Sequence, residues 1–106
     1  MIRLISLAPI AGLLFLATAS IAAPSPEALV GKIDVAMADQ ERIATAAFFP
    51  PANVIAEIAK GIRAKLYAED ITQAQMLQVL DALSAQPLPR FQKAAVAQIR
   101  REVEAG

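Results

Sequence analysis

The first 23 residues decide how much of this chain is left to fold. Met1-Ile2-Arg3 is followed by an apolar run from Leu4 to Ala17, then Thr-Ala-Ser-Ile-Ala-Ala-Pro up to Pro24. An early cation, an apolar segment and small residues ahead of a proline make the three-part pattern of a secretory signal peptide. Small residues at −3 and −1 fit cleavage after Ala22 (Ser20 and Ala22), with Ala17 and Ala19 offering a second cut after Ala19. A cut after Ala23 would put Pro24 directly behind the scissile bond. The expected division is therefore residues 1–22 as signal peptide and residues 23–106 as a single domain, periplasmic or secreted. An uncleaved anchor is the rival reading, because Leu4 to Ala23 carries no charge and a bilayer needs roughly 20 apolar residues. Pro9 and Gly12 interrupt that run and no basic cluster follows it, so cleavage is preferred. Only the uncleaved form would bring a membrane into contact with the chain.

Roughly 83 of the 106 residues then remain, one small domain at most. A domain of that size buries only about 60–65 % of its unfolded surface and usually needs a staple. The chain has no cysteine and no histidine, which removes disulfides, thioether-type lipid anchoring and the usual zinc, copper and haem ligands. No cofactor or metal is expected. Ten basic and ten acidic side chains nearly balance, and without Arg3 nine basic residues face ten acidic ones. No basic field exists to attract nucleic acid. Stability is left to helix packing, to self-association or to a partner.

The expected fold is all-α: about four amphipathic helices in a small bundle or array, after the N-terminal signal helix. Ser25 as N-cap and Pro26 at the first helical position open a helix running to about Phe48. Leu29, Val30, Ile33, Ala36, Met37, Ile43, Ala44, Ala47 and Phe48 share its apolar face at a period near 3.6, with Gln40 inside that arc. Phe49-Pro50-Pro51 breaks the pattern. A second helix from Pro51 to about Tyr67 presents Val54, Ile55, Ile58, Ala59, Ile62 and Leu66; Gly61 within it either permits a close helix crossing or is simply tolerated, and the second is preferred. Thr72 and Gln75 fit a capping box, with Ile71 and Met76 placed for a hydrophobic staple. The third helix carries Met76, Leu77, Val79, Leu80 and Leu83 and stops before Pro87. A fourth, from about Pro89 to Val103, presents Phe91, Ala95, Ile99 and Val103. Gln92 and Glu102 intrude on its apolar side, which makes it the weakest core helix and the one expected to dock loosely or to serve a partner.

Little here supports catalysis. Nucleophile–base pairs built on cysteine or histidine are excluded, and the hydroxyls are Ser25, Thr45, Thr72, Ser84 and Tyr67, of which Ser25 and Thr72 have capping roles. Glu69-Asp70 reads as a solvated turn, as do Glu102 and Glu104 near the end of the chain. No glycine-rich phosphate loop exists. The expectation is a non-enzyme. The most suggestive surface element is the double-proline corner, where Phe48 and Phe49 either seal the core or anchor a partner; the first is preferred, and the second makes Phe48 and Phe49 the candidate partner-binding residues.

From Tyr67 to Phe91 the spacing resembles the C-terminal part of a secreted bacterial family, domain of unknown function 2059. Tyr67, Ile71-Thr72 and Gln75-Met76 stand where that family has a tyrosine, an aromatic-Thr/Ser pair and a Glu-Leu pair. Ala82-Leu83 replaces its Phe-Tyr, Ala85-Gln86 replaces its Ser-Pro, and Leu88 stands where it has glycine. The resemblance implies an exported, all-helical domain and brings no catalytic residues. The function expected is a protein that binds a partner protein or itself. A membrane-tethered accessory subunit and a carrier of a small apolar ligand are the alternatives.

Overall fold

A computed structural model describes residues 24–106; the signal-peptide reading and its cleavage sites lie outside the described residues. Four helices follow in order: α1 (Pro26–Ala46), α2 (Pro51–Leu66), α3 (Gln73–Ser84) and α4 (Arg90–Ala105). There is no strand among the described residues, and the protein is a small all-α bundle.

Each boundary has a local chemical cause. The Ser25 hydroxyl accepts from the Ala28 N–H at 3.2 Å and Pro26 occupies the first turn. Pro50 and Pro51 stop α1 and open α2, since Pro51 sits where its missing N–H would have had no partner. Thr72 and Gln75 form the complete capping box: the Thr72 Oγ1 accepts from the Gln75 N–H at 3.1 Å, and the Gln75 Oε1 accepts from the Thr72 N–H at 2.7 Å. Ile71 and Met76, beside that box, both pack on the core.

One contiguous core joins all four helices. Leu29, Ile33 and Met37 come from α1, Ile58, Ile62 and Leu66 from α2, Val79, Leu80 and Leu83 from α3, and Val96, Ile99 and Val103 from α4. Burying each such side chain stabilises the fold by about 1.5–3 kcal/mol relative to leaving it in water.

The order round the bundle is not the order of the chain. α1 packs on α2 and α3, α4 packs on α2 and α3, and the consecutive pair α2 and α3 hardly touch. Glu41 meets Gln92, so α4 begins beside the C-terminal half of α1. Arg63 meets Glu102, so α2 and α4 run in the same sense. The helices of the expected bundle therefore follow one another in space in the circuit α1–α2–α4–α3.

Two faces depart from the sequence reading. Ile43 is 53 % exposed, and Ala47 and Phe48 also lie outside the core. Ile43 sits about 100° round the helix from buried Ala44, beyond the edge that α2 covers. Phe48 is not helical at all, so the 3.6-residue period does not govern where its ring goes. The fourth helix, expected to dock loosely, instead contributes Ala95, Val96, Ile99 and Val103 to the core.

Candidate functional site

The corner between α1 and α2 is the feature that burial and helix packing leave unexplained. α1 ends in a full Schellman motif. The Phe48 N–H donates to the Thr45 carbonyl and the Phe49 N–H donates to the Ala44 carbonyl, each at 3.0 Å. That geometry requires a left-handed residue at the first position past the cap, and Phe48 takes it with φ +60°. Glycine is the usual occupant, because an L side chain in this region costs roughly 1–2 kcal/mol.

The ring gains nothing in return from its own fold. Phe48 is 92 % exposed and Phe49 42 % exposed. The preferred expectation, that both rings seal the core at the corner, is overturned; the reversal of the chain turns Phe48 outward. Pro50 and Pro51 are exposed beside them and hold the corner rigid through their fixed φ. From Ile43 to Ala56 no side chain carries a charge.

Most of the other residues that chemistry would have drawn on are engaged elsewhere. Glu69 lies 3.9 Å from the Lys32 ammonium. The Arg63 Nε donates to both Glu102 oxygens at 2.8 Å, and Arg100 donates to Glu104 at 3.2 Å and to Asp81. Hydrogen bonding to Asp81, then to Glu104, holds the Arg100 guanidinium above its ordinary range. Ser25 and Thr72 cap helices, and the Ser84 hydroxyl donates to the Leu80 carbonyl at 2.9 Å. Among the described residues no cluster of three acidic side chains is arranged to hold a metal ion, and no helix is long and apolar enough to cross a membrane.

Pattern reading missed two structural devices and set a third aside. Gln92 is buried because its amide donates to the Glu41 carboxylate at 2.7 Å. Glu102 intrudes on the apolar side of α4 because Arg63 of α2 meets it there. Gly61 marks a close crossing of α1 and α2: a Cβ there would lie 2.9 Å from Gln40 Cγ and 3.5 Å from the Ala36 carbonyl oxygen. Of the two readings of Gly61 the close crossing holds and the preferred one, simple tolerance, does not, and Gln40 sits over it as the other half of the crossing. The sequence signal for it is a glycine inside α2 together with an out-of-place glutamine on α1.

Comparison with protein families, with characterised proteins and with solved structures finds no match for this chain.

Proposed function

We propose that this chain is an exported, non-enzymatic helical domain that acts by binding a protein surface, a partner or a second copy, with Phe48 and Phe49 as the anchor. One observation carries the reading: a phenylalanine held in a left-handed conformation with its ring in water. Strain of this kind persists where the surroundings enforce it, and it clusters at functional sites. An aromatic anchor at a rigid corner is also the residue type that dominates interface energy, and it binds with little loss of entropy because the corner is already ordered. The export address rests on the apolar run Leu4–Ala17 and the small residues to Ala23.

A photo-crosslinking phenylalanine analogue placed at Phe48 in living cells tests the contact. Discrete higher-mass adducts are expected from position 48 and not from exposed Ala97 on α4. Equal labelling at the two positions would discard the corner as an anchor. Intact mass of the protein recovered from the cell tests the address, with loss of the first 22 residues expected; a retained leader would favour a tethered subunit.

A further inference from the structure

We draw no further inference here: the strongest candidate, the cleft lined by Tyr67, Gln73, Met76, Val103 and Gly106 where α2 and α4 end and α3 begins, carries nothing because no feature of the structure shows what fills it.

Discussion

Phe48 and Thr72 occupy comparable places, one just past a helix and one just before, and they contribute to stability with opposite signs. Phe48 is in the left-handed region with its ring in water, so its removal forfeits little burial. Phe48→Gly should raise stability by about 0.5–1 kcal/mol, the relief of left-handed strain less the entropy that glycine adds to the unfolded chain; urea denaturation with an unchanged m-value would verify it. Thr72→Ala should lower stability by about 1 kcal/mol in the same measurement, because the Gln75 N–H loses its acceptor. The Thr72 cap was readable in the sequence since both partners lie within four residues of each other. The Phe48 conformation was not, because the signal for a left-handed cap is glycine and here it is absent.

The helices themselves were legible because prolines punctuate them: Pro26, Pro51 and the Pro87–Pro89 pair bracket runs with a clear 3.6-residue period. What brings one helix against another was less so. Gln92 and Glu102 read as flaws on an apolar face, since Glu41 and Arg63, which explain them, lie 51 and 39 residues away in sequence. The α1–α2 crossing hides in the same way. Gly61→Ala gains up to about 1 kcal/mol of helix propensity but brings the new methyl group against Gln40 Cγ. In the Gln40→Ala background that clash is gone, and the Ala36 carbonyl at 3.5 Å is an ordinary contact. Gly61→Ala should therefore be more favourable in that background by about 1 kcal/mol, a coupling that a double-mutant cycle reads directly. Additive effects would mean the crossing is looser than its geometry.

A single core with no disulfide has to hold the molecule together by packing alone. Leu80 is fully buried in it, and Leu80→Ala should remove about 2–5 kcal/mol, a large share of the roughly 5–15 kcal/mol that a small domain has; the thermal midpoint should fall by many degrees. The all-α class and most of this core followed from period and composition; Val96 was missed, and Ile43, Ala47 and Phe48 were included although they lie outside it. The circuit α1–α2–α4–α3 did not follow from them, because short connections between helices fix neighbours in sequence and leave neighbours in space to be settled by Gln92, Glu102 and Gly61. The uncharged span from Ile43 to Ala56 leads furthest outside the fold. That span itself brings no ionisable side chain to whatever docks there. Sulfate should tighten the grip and chilling should loosen it, as for any contact driven by the release of water from oily surface: a cold-room preparation would find this protein at its least sociable.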